Sequence, residues 1–522
     1  MNELEEILGI QFPEGTIISG VTNSTKKIKK DYIFFGLPGT KKHGSKYIDR
    51  ALELGASIIV HNDPKYHSKE ENIFFIQDLY EFHPIINPIS DLYDENTGSK
   101  HFRFLEKFYD IYNINQIGSD IKFHGFTGTN GKTTSANLCH QIFSHLGFNT
   151  LYIGTLGVQF NNNDINKSLI SKTTPDIFEL FEILNFYNFK EGEICIELSS
   201  HALDQDRLHG VRLEYAAIMN IEEDHLDYHG NLQDYANSKF KILGMLRPDN
   251  FWIDPDSKLL IKYLNKFFID NDYSEPKKEI EKHSLAFENL YKDDKKTFFH
   301  LDISNSVTTK IMDGYRVSNR LGARNTSHKF LTTLFPYFNI KNLMFALIPI
   351  MLKDTKSRLN DGLNDLSYLR LPKGRIDLIE GIAKNVIIDY AHNLDAFETV
   401  LSSIKENYDN LIIVFGCGGD RDKLKRSKMM RSALKHCKNI IFTSDNSRSE
   451  SFQDIFKDAA SGNDVDDVIV INDRKEAIIH GSKLIGDNDC LLILGKGHEE
   501  TQETDGNIEH FSDYEVVHEI YS

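Results

Sequence analysis

Short aliphatic and aromatic runs alternate along the chain with longer stretches in which apolar positions recur every three or four residues. The runs read as buried strands and the stretches as helices with one apolar face, so their alternation predicts an α/β chain built on parallel sheets. In residues 1–115 the strand-like runs are "IIVH" (Ile58–His61) and "NIFFI" (Asn72–Ile76), followed by polar "SDLYDENTGSK" (Ser90–Lys100), which reads as an exposed loop. This part is predicted to be a small accessory domain. Residues 116–362 form a central domain that opens with the strand "IKFHGF" (Ile121–Phe126). After a glycine-rich turn comes the helix "TTSANLCHQIFSHLG", with Leu138, Ile142 and Leu146 on one face and Gly147 at its end. Residues 363–522 form a third domain, where "VIIDYA", "LIIVFG", "NIIFTS", "VIVIN" and "LLILG" read as strands. Each but the fourth ends in glycine or polar residues that look chemically purposeful, and ligands of open α/β sheets sit at such carboxyl ends.

The length of 522 residues fits three domains better than one. No apolar stretch is long enough to span a bilayer, and the acidic start "MNELEEILGI" lacks the basic and apolar regions of a secretory signal, so the cytoplasm is the expected compartment. The 60 Lys and Arg against 77 Asp and Glu give a net charge of -17, which opposes nucleic-acid binding. Any phosphate ligand must be held locally. The five cysteines are scattered without CxxC spacing, so they read as reduced thiols rather than a disulfide or zinc framework.

One stretch supplies such a local hold. In "TGTNGKTTS" (Thr127–Ser135) a glycine-rich turn joins strand to helix, which puts backbone N–H groups and a helix N-terminus around an anion. Gly128, Thr129, Asn130, Gly131, Lys132, Thr133 and Thr134 are therefore predicted to bind ATP, with Lys132 on the outer phosphates and Thr133 on Mg²⁺. The strict phosphate-loop pattern would have glycine where Phe126 stands. Glu197 ends the buried-strand pattern "EICIELSS" and is a candidate Mg²⁺ ligand. "EEDHLDYHG" crowds charges with His225 and His229, more polarity than a core segment tolerates. Lys239 in "YANSKFKIL" reads, from pattern alone, as a surface lysine sharing a helix face with Tyr235.

The string "GTNGKTT" resembles the phosphate loop of the Mur ligases, ATP-dependent amide-forming enzymes of peptidoglycan synthesis. Further strings resemble family signatures in the same order: "ELSSHALDQDRLHGVR", "NIEEDHLDYHG", "DYAHNLDAFETVL", "FGCGGDRDKLKR", "TSDNSRSE" and "LGKGHEETQ". They are most similar to members that add the third residue of the stem peptide. The resemblance implies a small N-terminal α/β UDP-binding domain, a central phosphate-loop ATPase domain with a parallel sheet, and a Rossmann-like C-terminal domain that binds the amino acid. It implies UDP-N-acetylmuramoyl-L-alanyl-D-glutamate and meso-diaminopimelate as substrates, ATP and Mg²⁺ as cofactors, and a monomer.

Residue by residue, the resemblance implies His225 as ligand of a second Mg²⁺ and Lys239 as bearer of a CO₂-derived carbamate that also ligates it. Asn339, Asn342, Arg375, Asp389 and His392 would approach the nucleotide. Thr173, Thr174, Ser199 and Arg207, with "GTLG" (Gly154–Gly157), resemble contacts to the UDP-muramoyl part, and Arg421, Asn446, Arg448, Gly495 and Glu499 resemble the diaminopimelate site. Arg448 would pair with the distal carboxylate and Glu499 with the distal ammonium. Catalysis would rest on Lys132, Glu197, His225, Lys239 and His392. Four departures stand out. Ser24, Thr25 and Lys26 replace the family's D-S-R at the UDP part, Pro336 replaces a glycine, Asn393 and Leu394 replace T-P, and Ser447 replaces the proline of D-N-P-R, which is expected to loosen that turn. Ligation of L-lysine or another amino acid, and a non-enzymatic nucleotide-binding protein, are the other classes compatible with parts of the pattern.

Overall fold

The computed structural model describes residues 2–39, 42–80, 99–112, 114, 119–246, 250–271, 276, 277, 280, 298–302, 315–320, 327–332, 334–353 and 365–522. The two domain boundaries expected near 115 and 362, and most of the polar stretch 90–100, lie outside the described residues. Of that stretch, Ser99 is buried and Lys100 opens the helix Lys100–Tyr109.

The N-terminal part carries β1 (Gly20–Thr22), β2 (Tyr32–Gly36), β3 (Ala56–His61) and β4 (Ile73–Phe75), a parallel sheet in sequence order. One face is not left to water. Phe35 of β2 packs against Phe104 and Phe178, ring centroids 5.4 and 5.2 Å away, so this sheet shares a continuous core with the middle of the chain.

The middle sheet contains β5 (Ile121–Thr127), β6 (Thr150–Gly154), β7 (Gly157–Phe160), β8 (Gly192–Glu197), β9 (Leu213–Ile218) and β10 (Phe251–Ile253), in the order β10-β9-β5-β8-β6-β7. All neighbours are parallel except β6 and β7. Central strands of a sheet covered on both faces are buried along their length, as "FHGFT" and "ICIE" are here. Helix Lys132–His145 covers one face and packs against helix Tyr337–Leu352. Because β5 and β8 are adjacent, with Phe126 paired to Glu197, the phosphate loop after β5 and the acidic end of β8 meet at the carboxyl edge. An antiparallel trio follows: β11 (Phe298–Asp302), β12 (Tyr315–Arg320) and β13 (Ser327–Thr332).

The C-terminal sheet has β14 (Asp377–Leu378), β15 (Asn385–Asp389), β16 (Leu411–Phe415), β17 (Asn439–Phe442), β18 (Ile469–Val470) and β19 (Cys490–Leu494), in the order β14-β15-β19-β16-β17-β18. Only β14 is antiparallel, and each face has its own apolar layer. A hairpin of β20 (Thr501–Thr504) and β21 (Asn507–His510) follows the last parallel strand. Arg474, with none of its side chain exposed, holds this end together by pairing with Asp513 at 2.8 Å and donating to the Leu494 carbonyl at 3.0 Å. No helix among the described residues is long and apolar enough to cross a membrane.

Candidate active site

The phosphate loop is shaped by its glycines. Gly131 has φ 89°, and a Cβ there would lie 2.5 Å from Asn342 Oδ1, so the turn closes only without a side chain. Helix Lys132–His145 starts directly afterwards, which aims its first N–H groups at the cavity. Glu197 is fully buried and its carboxylate accepts from the Tyr152 hydroxyl (2.5 Å), the Thr155 N–H (2.8 Å), the Thr155 hydroxyl (3.1 Å) and the Thr133 hydroxyl (2.9 Å). A charge buried this deeply is tolerable in the interior only with such a set of donors. Lys132 Nζ donates to the carbonyls of Gly128 and Thr129, both at 2.9 Å.

Lys239 is not a surface residue. It is 1% exposed, lies 4.6 Å from the Tyr235 ring centroid, and donates to the same Gly128 carbonyl at 2.9 Å. The helix Leu232–Phe240 presents it to the interior rather than to solvent, because Tyr235 on the same face reaches the Thr129 hydroxyl at 3.0 Å. Burial, and then the neighbouring Lys132, hold the Lys239 ammonium well below the ordinary lysine range. His225 begins the turn Leu226–His229 with φ 52°, and its ring lies 4.9 Å from that of His201. Burial pushes its imidazole down to about 4, against the opposing pull of Asp224.

The C-terminal part completes the nucleotide-sized cavity, of about 650 Å³. Arg375 Nη2 reaches Thr133 Oγ1 at 3.3 Å. Asp389, at the end of β15, accepts from the N–H groups of Ile376 and Ala391, each at 2.7 Å, and burial pushes its carboxyl up. His392 turns one ring nitrogen to the Tyr390 carbonyl at 2.8 Å. Asn342 donates to Asn339 at 3.0 Å on the opposite wall. Asn393, one of the departures, caps the helix Leu394–Lys405 and donates to Asn130 of the phosphate loop at 3.1 Å, while Asn130 donates to Asp395 at 3.0 Å.

A second cavity of about 810 Å³ opens alongside, and Arg421, Asn446, Arg448, Gly495 and Glu499 all line it. Arg448 has φ 51° and donates to the Gly419 carbonyl at 2.6 Å. Its own N–H bonds to the Glu503 carbonyl at 3.1 Å, and its carbonyl accepts from Asp505 at 2.7 Å. These bonds tie the turn to the β20–β21 hairpin, and Ser447 beside it is buried. Asn446 donates to Glu499 at 2.9 Å, and Lys496, fully buried, pairs with the same carboxylate at 3.0 Å. Glu222, Asp224, His225, Tyr390, His392 and Asp395 line both cavities and so mark their junction.

Not every expected residue is gathered there. Thr173 and Ser199 line the nucleotide cavity, whereas Thr174 is buried and donates to the Glu197 carbonyl at 2.8 Å, and Arg207 donates to the Thr174 carbonyl at 3.1 Å. Ser24, Thr25 and Lys26 lie after β1 and line neither cavity. Their neighbour Asn23 reaches Asp176 at 3.3 Å, and Lys27 pairs with Glu179 and Glu182. Thr155 of "GTLG" bonds to Glu197 and lines the nucleotide cavity. Sequence reasoning missed Tyr152, Lys496, Asp395 and Glu222. Only Glu222, within the polar cluster "EEDH", carried a local signal.

The donors present suit Mg²⁺. The Thr133 hydroxyl and the Glu197 carboxylate are hard oxygens at the phosphate loop, and Mg²⁺ is ordinarily held by one or two carboxylates with phosphate and water oxygens completing the shell. Among the described residues no group of three or more His, Cys, Asp or Glu forms a cage for a metal ion.

These features define a three-lobed α/β protein with a phosphate loop at the edge of a second cavity, and the chain belongs to the Mur ligase family. The Mur ligase family catalytic domain matches residues 17–87, the Mur ligase middle domain residues 126–349, and the Mur ligase glutamate ligase domain residues 374–497. The UDP-N-acetylmuramoyl-L-alanyl-D-glutamate--2,6-diaminopimelate ligase of Aquifex aeolicus (strain VF5) is 31% identical, over 96% of this chain and 93% of the relative. The protein of that name from Wigglesworthia glossinidia brevipalpis is 32% identical, over 96% and 95%. A solved structure of a ligase of the same name superposes with a TM-score of 0.59 at 26% identity, covering 99% of this chain and 98% of that one. The MurF ligase of Thermotoga maritima in complex with ADP, 13% identical with a TM-score of 0.57 over 98% of both chains, shares the fold.

Proposed function

We propose that this protein is an ATP-dependent ligase that joins meso-diaminopimelate to UDP-N-acetylmuramoyl-L-alanyl-D-glutamate in the cytoplasm, through an acyl phosphate. The observation that carries the reading is the junction of two cavities, one walled by a phosphate loop and one by the oppositely charged Arg448 and Glu499. Its domains would be residues 1–115 for the UDP part, 116–362 for ATP and 363–522 for the amino acid.

Two anions must meet for the first step, the substrate carboxylate and the terminal phosphate, and their repulsion is the barrier. Lys132 and Arg375 bring positive charge to the Thr133 end of the loop, which lowers it. Mg²⁺, when bound by Thr133 and Glu197, and at a second position by His225 and a carbamate on Lys239, supplies further charge neutralisation to the phosphates. The neutral amine that carbamate formation requires is favoured by the burial of Lys239. Gly128, Thr129, Asn130, Gly131 and Thr134 cradle the phosphates, and Asn339, Asn342, Asp389 and His392 surround the remainder of the nucleotide. Thr173, Ser199 and Arg207, with Ser24, Thr25 and Lys26, would face the UDP-muramoyl part, and the buried Thr174 would hold Ser199 and Arg207 in place. Arg421, Arg448, Asn446, Gly495 and Glu499 take the amino acid, an arginine for its distal carboxylate and a glutamate for its distal ammonium.

Phosphate release from ATP, measured with the UDP-muramoyl dipeptide and each candidate amino acid in turn, tests the assignment. Release stimulated by meso-diaminopimelate and dependent on the UDP substrate supports it; stimulation by no amino acid, or equal stimulation without the UDP substrate, refutes it.

A further inference from the structure

Activation of the acyl group leaves one requirement unmet. The incoming amino group arrives as an ammonium, without a lone pair, and cannot attack until a proton is removed. The base must lie where the nucleotide cavity opens on the amino-acid cavity.

Of the residues lining both cavities, several are already engaged. Asp224 has His225 beside it at 3.8 Å, and Asp395 accepts from Asn130. One nitrogen of His392 is bonded to the Tyr390 carbonyl. Glu222 differs. Its backbone anchors it to the phosphate loop, since its N–H donates to the Thr129 hydroxyl at 2.9 Å. Its carboxylate forms no ion pair among the described residues, and the cations that line the same cavity are turned to other groups: Lys425 donates to the His392 carbonyl, Lys428 lies 3.7 Å from Glu223, and Arg421 lies 3.9 Å from Asp227. Partial burial first, and then the carboxylates of Asp395 and Glu223, push the Glu222 carboxyl up to about 7. A group of that proton affinity is both available as a base and able to accept a proton at neutral pH.

Resting on the ligase reading above, we propose that Glu222 is the general base that deprotonates the incoming amino group. The ammonium gives one proton to the Glu222 carboxylate, which becomes a carboxylic acid. The freed nitrogen lone pair forms the N–C bond at the acyl phosphate carbon, and collapse of the tetrahedral intermediate breaks the C–O bond, phosphate leaving with that electron pair. The second amine proton leaves with phosphate, and Glu222 returns its proton to solvent, so protons and charge balance.

The test compares two nucleophiles in wild type, Glu222→Gln and Glu222→Asp. Hydroxylamine is largely neutral near pH 7 and needs no base, so hydroxamate formation from ATP and the UDP-muramoyl dipeptide reports acyl phosphate formation alone. The account predicts that Glu222→Gln lowers the ratio of ligation to hydroxamate formation by at least about 10-fold at about pH 7. The deficit should shrink as pH rises and more free amine is present, and Glu222→Asp should restore part of the ratio. An unchanged ratio in Glu222→Gln, whether both rates fall together or neither falls, overturns the proposal, as does a deficit that does not vary with pH. A wild type that forms no hydroxamate and no amide would instead sink the ligase reading itself.

Discussion

Arg448→Ala should abolish the preference for meso-diaminopimelate over L-lysine while leaving the phosphate loop untouched. Arg448 spends one nitrogen on the Gly419 carbonyl, and its Nε faces Glu503 at 3.6 Å. Nη2 forms no hydrogen bond with the described residues and belongs to a side chain that lines the amino-acid cavity and is 25% exposed. A carboxylate meeting it there would make a charge-assisted hydrogen bond of about 1.5–3 kcal/mol. At about 1.4 kcal/mol per factor of ten, that is roughly 10- to 150-fold in kcat/KM for meso-diaminopimelate. Glu503 offsets some of the guanidinium charge, which places the expectation in the lower part of that range. L-lysine lacks the distal carboxylate, so its kcat/KM should change little in the variant. The assay is steady-state phosphate release with both amino acids on both proteins. Equal use of L-lysine by the wild type, or a preference that survives in Arg448→Ala, would refute the reasoning.

Lys239→Ala should lose about 10²-fold or more of activity, and added acetate should restore part of it by supplying the missing carboxylate; a fully active variant would remove the carbamate from the account. Stability should fall in acid for a defined reason. His101 is buried beside the Leu79 carbonyl, and burial, with His209 second, holds its imidazole down at about 3. The folded value is depressed, so its contribution is intact above the unfolded value of about 6.5 and is lost as pH falls towards 3, at about 1.4 kcal/mol per pH unit. Melting temperature measured against pH should therefore be less steep in His101→Phe than in wild type over that window, and identical slopes would contradict the argument.

The phosphate loop was legible because its strand, glycine turn and helix follow one another within Ile121–His145. Lys239 was not. Its burial depends on Tyr235 meeting Thr129, over a hundred residues away, and no local pattern marks a lysine whose surroundings are tertiary. The same holds for Glu197: a strand-end carboxylate was visible, but the donors Tyr152 and Thr155 come from the neighbouring strand and its turn. The parallel strands β3, β5, β8, β15, β16, β17 and β19 announced themselves as apolar runs, whereas antiparallel β14 has only two residues and the β20–β21 hairpin is largely exposed, so neither leaves an apolar signature. The run "VIVIN" shortened to Ile469–Val470 because it lies at a sheet edge, where Val470 is exposed. The turn at Ser447 is a further case: the bonds that tie Arg448 to the hairpin come from Glu503 and Asp505, more than fifty residues on, where no local pattern shows them.

The central claim, that ATP activates a carboxylate which an amine then captures, is tested most directly by following oxygen. UDP-N-acetylmuramoyl-L-alanyl-D-glutamate carrying ¹⁸O in its reacting carboxylate is turned over with ATP and meso-diaminopimelate, and the released phosphate is analysed by mass. An acyl phosphate requires that one carboxylate oxygen leave with phosphate in every turnover. Phosphate bearing one ¹⁸O for each amide formed is the predicted result, and unlabelled phosphate accompanying amide formation would contradict the account.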